Sequence, residues 1–448
     1  VSKLLLLRSE DENMKHSVKD GKTAKALDRR LFLRGAAGLG LAALSVPAAT
    51  SAAFAQAVGL NDVLSSGRRG NWSDTFDARG TGGAKAIATN QPIMSPQTLN
   101  YISAAINQYN MIVANGGWPT VQGNERLRLG MKSQVVPILR QRLMISGDLP
   151  EGIGSSTSFD TYVDAAVKRF QARHGLPADG VMGDMTYKAL NVSADVRLGQ
   201  LNTNLQRLGS LANVDQTRFV MVNIPAAQIE AIENGRVVQR HTAVVGKIDR
   251  QTPILTSKIH EVILNPYWTA PKSIIRKDII PLMRKDPQYL TKNKIRLYNG
   301  QGQEVPPETV DWNTEDAVKL MFRQDPGKIN AMASTKINFH NAHAVYMHDT
   351  PQKGTFNNLM RFDSSGCIRV QNIRDLDVWL LKNTNGWSRD SIEETIKSGQ
   401  NNPIQLADPV SLYFVYISAW STGDGIPQFR DDIYKMDGAS ELAIGTAI

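Results

Sequence analysis

The feature that most constrains the fold of this chain is a change of hydrophobic period near Gln216. Before it, apolar residues recur every three or four positions, as on one face of a helix. Leu99, Ile102, Ile106 and Tyr109 define a predicted helix over 97–115, started by Ser95-Pro96 and stopped by Gly116-Gly117. Val136, Leu139 and Leu143 mark a second helix, and Val163, Ala166, Val167 and Phe170 a third that ends at Gly175. "PADGVMGDMTYKALN" adds a turn and a short helix, and Leu198, Leu201, Leu205 and Leu208 form the stripe of another over 193–211. After Gln216 the runs are β-rich: "RFVMVNIP", "QIEAIENGRVVQRHTAVVG", "TSKIHEVILNP" and "AHAVYMHD", with Asn234-Gly235 as a hairpin turn. Between Trp268 and Ile337 the β pattern lapses. "SIIRKDIIPLMRKDPQYLTKN" and "TEDAVKLMF" read as helical, which predicts a helical cap, about 269–337, inserted into a β domain. Two more helices, "NIRDLDVWLLKN" and "RDSIEETIKSG", precede C-terminal strands and a tail over 403–448. Helices first and strands later predict an α+β chain.

Its 448 residues are too many for one core, and 42% hydrophobic with 21% charged residues suits a folded chain rather than a disordered one. The net charge of +9 is compatible with an anionic polymer as partner. No Lys/Arg stripe is interleaved with aromatics, so the charge does not point to nucleic acid. The N-terminus reads as an address. Arg29-Arg30, a soft Gly/Ala-rich apolar run and Ala53-Phe54-Ala55 predict a cleavable signal peptide of twin-arginine type over 1–55, with an ordinary secretory signal as the alternative. The run is too short to favour a permanent membrane span. Residues 56–95, rich in Gly, Ser, Asn and Asp, read as a linker.

Cys367 is the only cysteine. Exported proteins use cysteines in pairs as disulfides, so a lone one is a small buried residue or a working thiol. It lies in "FDSSGCIRV", nineteen positions after His348 in "VYMHDTPQKGTF". An imidazole beside a thiol can take its proton. The two meet if the strand ending at His348 lies beside the Ser365-Gly366-Cys367 turn. Gly366 permits a sharp bend whose N–H groups could converge on an oxyanion. Arg369, two residues on in a strand, shares the side of Cys367 and could hold the turn or a substrate carboxylate.

Two resemblances follow from these motifs. "AVKRFQARHGLPADGVMGDMTYKAL", with Phe170, Gln171, Gly175, Leu176, Asp179, Gly180, Gly183, Thr186 and Leu190, resembles a three-helix peptidoglycan-binding module. "HDTP…SSGCIRV", with "GGWPTV", "HTAVVGK", "RQTPILTSKI", "NPYWTAPKSI", "RQDPG" and "QFRDDIY", resembles the large type of the L,D-transpeptidase family. Many members carry histidine where this chain has Ser365, and Met332-Ala333 stands where Leu-Gly is usual. The resemblance implies an α+β architecture in which the helical scaffold (96–130 and 192–216) carries the module (131–191). A β-rich catalytic domain (217–402) with its inserted helical cap follows. It implies a periplasmic enzyme without cofactor that cross-links peptidoglycan tetrapeptide stems. Cys367 attacks the bond between the third, dibasic residue and the terminal D-alanine of a donor stem. His348 takes and returns the proton, and an acceptor amine resolves the thioester into a 3-3 link.

The oxyanion hole implied is Gly366, Cys367 and Ser365, and the candidate substrate-binding residues are Arg369, Tyr267, Trp268, Tyr346 and His343. The partner of His348 is left between the Asp349 side chain and a backbone carbonyl. His340, His343 and His348 could suggest a zinc cluster, but the chain offers no carboxylate-histidine helix motif and thiol chemistry needs no metal. His174 reads as a surface residue at a helix end, and His241 and His260 as strand residues without a catalytic role. Three alternatives stay open: hydrolysis of the same thioester by water (a carboxypeptidase), an outer-membrane lipoprotein as acceptor, and a non-catalytic peptidoglycan-binding protein.

Overall fold

A computed structural model of the chain describes residues 89–447, apart from 212 and 424. The segment expected to be a signal peptide and most of the expected linker lie outside the described residues. Five helices come first: α1 (Pro96–Ala114), α2 (Val136–Ile145), α3 (Thr161–Arg173), α4 (Asp184–Asn191) and α5 (Ala194–Ser210). α1 starts where expected. The Ser95 side chain accepts the Thr98 N–H, and Pro96 fills a first-turn position that needs no donor. Asp160 caps α3 in the same way through the N–H groups of Tyr162 and Val163, both at 3.1 Å. α2, α3 and α4 enclose their own core of Val136, Leu139, Leu143, Phe159, Val163, Phe170 and Leu190. α1 and α5 share a different core, where Ile102, Tyr109, Leu201 and Leu208 meet Phe219, Met221 and Phe429. The three-helix module is thus inserted between two helices of one scaffold. Ile93 and Met94, counted above in the linker, are buried in that scaffold core.

The second half of the chain is built on one nine-stranded sheet in the order β11-β3-β12-β10-β9-β4-β13-β1-β2. Its strands are β1 (Arg218–Asn223), β2 (Gln228–Glu233), β3 (Arg236–Gly246), β4 (Leu255–Leu264), β9 (Thr335–Phe339), β10 (Met347–His348), β11 (Phe362–Ser364), β12 (Ile368–Val370) and β13 (Asn402–Val415). β2 also pairs with β3, so the sheet closes on itself. Asn234 and Gly235 take φ of 50° and 70° in the β2–β3 hairpin, the turn that Asn-Gly favours. β1 shows why its sequence is apolar throughout. Val220 and Val222 face the inner core, while Phe219 and Met221 pack on the scaffold helices. Helices α6 (Ile373–Leu381) and α7 (Arg389–Ser398) add Leu376, Leu380 and Ile392 to the inner core.

β13 corrects one boundary. The expected domain end at 402 falls at its first residue, yet the strand pairs antiparallel with β4 and parallel with β1 in the body of the sheet.

The cap is only partly helical. Helical turns run over 272–285 and Tyr289–Lys292, but β5 (Trp268–Thr269), β8 (Met321–Gln324), β6 (Ile295–Tyr298) and β7 (Glu304–Val305) form a four-stranded antiparallel sheet. "TEDAVKLMF" yields just one short helical turn, Asp316–Lys319, and then turns into β8, where buried Phe322 follows exposed Met321 at a two-residue period. The cap also ends earlier than expected, because β9 already belongs to the main sheet. Among the described residues no helix is long and apolar enough to cross a membrane.

Candidate functional site

Three strands carry the site. β10 pairs in parallel with β12, Met347 opposite Ile368 and His348 opposite Arg369, and antiparallel with β9, His348 opposite Lys336. Residues paired across strands share a face, and the face alternates along a strand. Lys336, Tyr346, His348, Cys367 and Arg369 therefore project from one side of the sheet. The intervening Ile337, Met347, Ile368 and Val370 are buried in the inner core.

The imidazole is fixed from behind. His348 Nδ1 is 2.5 Å from the Asp349 carbonyl oxygen, so Nδ1 carries the proton and donates, leaving Nε2 as the basic nitrogen. The backbone carbonyl of Asp349, not its side chain, is the partner. The Asp349 carboxylate turns the other way, accepting from the Ser334 hydroxyl at 2.7 Å, the Thr350 N–H at 2.8 Å and the Lys353 ammonium. His348 is buried, its ring 5.5 Å edge-to-face from that of Tyr346.

The turn carrying the thiol is tied on three sides. Gly366 has φ +108°, a conformation that only glycine adopts without strain, and an added Cβ would sit 3.4 Å from the Gln251 carbonyl oxygen. The Ser364 hydroxyl donates to the Cys367 carbonyl at 2.5 Å and accepts the Gly366 N–H at 3.1 Å. Thr252 Oγ1 donates to the Gly366 carbonyl at 2.9 Å, and Ser365 Oγ accepts from Arg250 Nη1 at 2.9 Å. This overturns part of the expected oxyanion hole: the Gly366 N–H is spent inside the turn. The groups facing the thiol are the backbone and hydroxyl of Tyr346, with the Trp268 side chain near that hydroxyl.

Burial dominates the electrostatics. It pushes the half-buried Cys367 thiol up to about 11, against the pull of Tyr346, Lys336 and Arg369. Burial also pushes the His348 imidazole down to about 4, helped by the Arg369 and Lys336 charges. Both groups rest neutral at pH 7, so the resting pair is not the thiolate–imidazolium pair that the sequence reading leads one to expect. The same desolvation lowers Lys336, whose ammonium lies 4.5 Å over the Tyr346 ring, and Arg369, whose Nη1 reaches Gln352 Oε1 at 3.3 Å.

Cys367, His348, Tyr346 and Arg369 thus share one face of the sheet, with the Tyr346 ring packed between the imidazole and the Lys336 ammonium. Tyr267 is 43% exposed with Arg323 over its ring in the cap, and His343 is exposed in the turn before β10. Among the described residues neither joins the thiol cluster. Lys336 is the member that sequence reasoning missed. The alternation Thr335, Ile337, Phe339 inward and Lys336, Asn338 outward in "TKINF" was the available signal. His340 stacks on His260 at 4.2 Å, and among the described residues no group of three metal-ligating side chains converges.

Residues 217–392 match the family described as "L,D-transpeptidase catalytic domain", and residues 132–190 that described as "Putative peptidoglycan binding domain". A Haemophilus influenzae protein named "Putative L,D-transpeptidase" is 34% identical over 247 residues, 54% of this chain and 49% of that protein. The Mycobacterium tuberculosis protein named N-acetylmuramoyl-L-alanine amidase CwlM is 36% identical over 89 residues, 18% of this chain and 22% of that protein. The chain spans less than half the length of each of these relatives. Among solved structures, the L,D-transpeptidase of Xylanimonas cellulosilytica aligns at 14% identity and TM-score 0.22, covering 66% of this chain and 99% of that one. That of Stackebrandtia nassauensis aligns at 13% and 0.25, covering 66% and 96%.

Proposed function

We propose that this chain joins peptidoglycan stem peptides by acyl transfer through Cys367, a reading supported by the match of residues 217–392 to the L,D-transpeptidase catalytic-domain family and of residues 132–190 to a peptidoglycan-binding one. The observation that carries the reading is the shared sheet face, on which an imidazole with a fixed tautomer on β10 neighbours a thiol in the turn that enters the adjacent parallel strand β12.

The reaction has two halves. The Cys367 sulfur attacks the carbonyl joining the third residue of a donor tetrapeptide to its terminal D-alanine. Because both groups rest neutral, the thiol proton moves to His348 Nε2 as the S–C bond forms. The developing imidazolium is steadied by the Asp349 carbonyl. The oxyanion takes hydrogen bonds from the Tyr346 hydroxyl and the Cys367 N–H. Collapse breaks the C–N bond, and His348 passes its proton to the departing D-alanine amine. In the second half the side-chain amine of an acceptor stem attacks the thioester carbonyl. It gives its proton to His348, which returns one to the sulfur, leaving a 3-3 link. Lys336 and Arg369, partly desolvated cations flanking the thiol, are suited to the carboxylates of a stem peptide. The place of action is outside the cytoplasm, where this polymer lies.

Purified protein incubated with disaccharide-tetrapeptide tests the reading. Dimers containing a 3-3 link, absent with Cys367→Ala, are expected. Tripeptide without dimer would replace transfer by hydrolysis, and no product from folded wild type would reject the reading.

A further inference from the structure

Arg250 plays no part in the scheme above, yet it touches two elements that the chemistry must coordinate. It lies in the loop between β3 and β4, jammed against the thiol turn. A Cβ on Gly246 would stand 2.2 Å from the Arg250 carbonyl oxygen and 2.6 Å from the Thr252 nitrogen. Thr252 in turn accepts the Gly246 N–H and donates to Gly366, each at 2.9 Å. From this crowded loop the Arg250 side chain reaches in two directions. Nη1 donates to Ser365 Oγ at 2.9 Å, two residues before the thiol. Nη1 and Nη2 also hold the Asp278 carboxylate, at 2.6 and 2.9 Å, in a fork-on-fork pair.

Asp278 belongs to the cap. It sits in a π-helical turn, Ile275–Ile279, whose extra residue re-aims side chains relative to a regular helix. Ile275 and Ile279 of that turn are buried in the cap core, so Asp278 moves only with the cap. The pair is partly open to solvent, with Arg250 18% and Asp278 39% exposed. A pair of this kind is worth little in isolation and can part without a large penalty. Its value lies in the geometry it imposes.

We infer that Arg250 is a positioning residue linking cap to nucleophile: it binds Asp278 and Ser365 at once, so the thiol turn is held for acyl transfer only while the cap is seated. The inference rests on the reading of Cys367 as nucleophile. A stem peptide under the cap and the oxyanion donors beside it are then organised by the same guanidinium.

The test compares full-length wild type, Asp278→Asn, Ser365→Ala and the double variant, with disaccharide-tetrapeptide as substrate. Each single variant is expected to lower kcat about tenfold with KM within about twofold, and the double variant to fall no further, since both act through one guanidinium. Deuterium exchange of the 364–368 amides is expected to quicken in Asp278→Asn, although that residue is in the cap. Alkylation of Cys367 by iodoacetamide should stay within about twofold, which separates turn geometry from thiol reactivity. Multiplicative losses in the double variant, or unchanged exchange at the turn, would overturn the link while leaving an active wild type. An inactive wild type would overturn the inference together with the transpeptidase reading.

Discussion

At the level of single residues, the site is governed by the cost of creating charge away from water. Burial raises the Cys367 thiol to about 11 and lowers the His348 imidazole to about 4, so both favour the neutral form near pH 7. Alkylation of free Cys367 should therefore keep climbing through pH 9, and a plateau below pH 8 would show an ion pair already formed. Turnover needs neutral His348. Its acid limb should fall near pH 4 to 5 rather than near 6.5, because the folded pKa lies below the ordinary value and the active form persists until pH drops through it. Lys336 favours the thiolate by its charge. Lys336→Met should raise the thiol further and slow alkylation at pH 8 about three- to tenfold, measured by stopped reaction and mass. Cys367 and His348 were legible in the sequence from residue type and neighbours. Their protonation states were not, because burial is set by strands that lie far apart in the chain.

At the level of elements, the tight thiol turn and the closed sheet decide what can change. Gly366→Ala forces a side chain into φ +108°. The strain is about 1–3 kcal/mol. A thermal melt should show a fall of several degrees, and transfer activity should drop more steeply than stability. Hydrophobic period and stop residues made the helices and most strands readable. They failed where two signals overlapped. "TEDAVKLMF" holds apolar residues at both helical and strand spacing, and only the cap sheet settles Met321–Gln324 as a strand. The expected use of the Gly366 N–H failed for a different reason. Ser364 competes for it locally, and although Ser364 stands in the motif, residue type alone does not say where its hydroxyl points.

At the level of the whole molecule, the three-helix module is built into the β domain rather than tethered to it. His174, read as a surface residue, is buried between Phe170 at 3.9 Å and Phe429 at 5.3 Å. Arg173 grips Asp148 and donates to the Pro427 carbonyl at 3.3 Å, while Arg430 donates to the Arg173 carbonyl at 3.1 Å. Farther along the same segment, past Pro427, the Tyr434 hydroxyl donates to the Gly246 carbonyl at 2.7 Å and accepts the Thr252 N–H at 3.1 Å. One short segment thus runs from the module to the loop behind the thiol turn. Arg173 and Asp148 are almost fully buried, so Asp148→Ala leaves a cation unpaired. That should cost about 3–5 kcal/mol, read by denaturant unfolding, with module and β domain melting together. In the proposed reaction Cys367 carries the acyl group of a stem peptide. The most direct measurement is the intact mass of the protein quenched in acid during turnover of disaccharide-tetrapeptide. The expected result is a thioester adduct of the donor lacking D-alanine, present in wild type and absent in Cys367→Ser. Cross-linked product formed by the Cys367→Ser protein, or turnover by wild type without any such adduct, would contradict it.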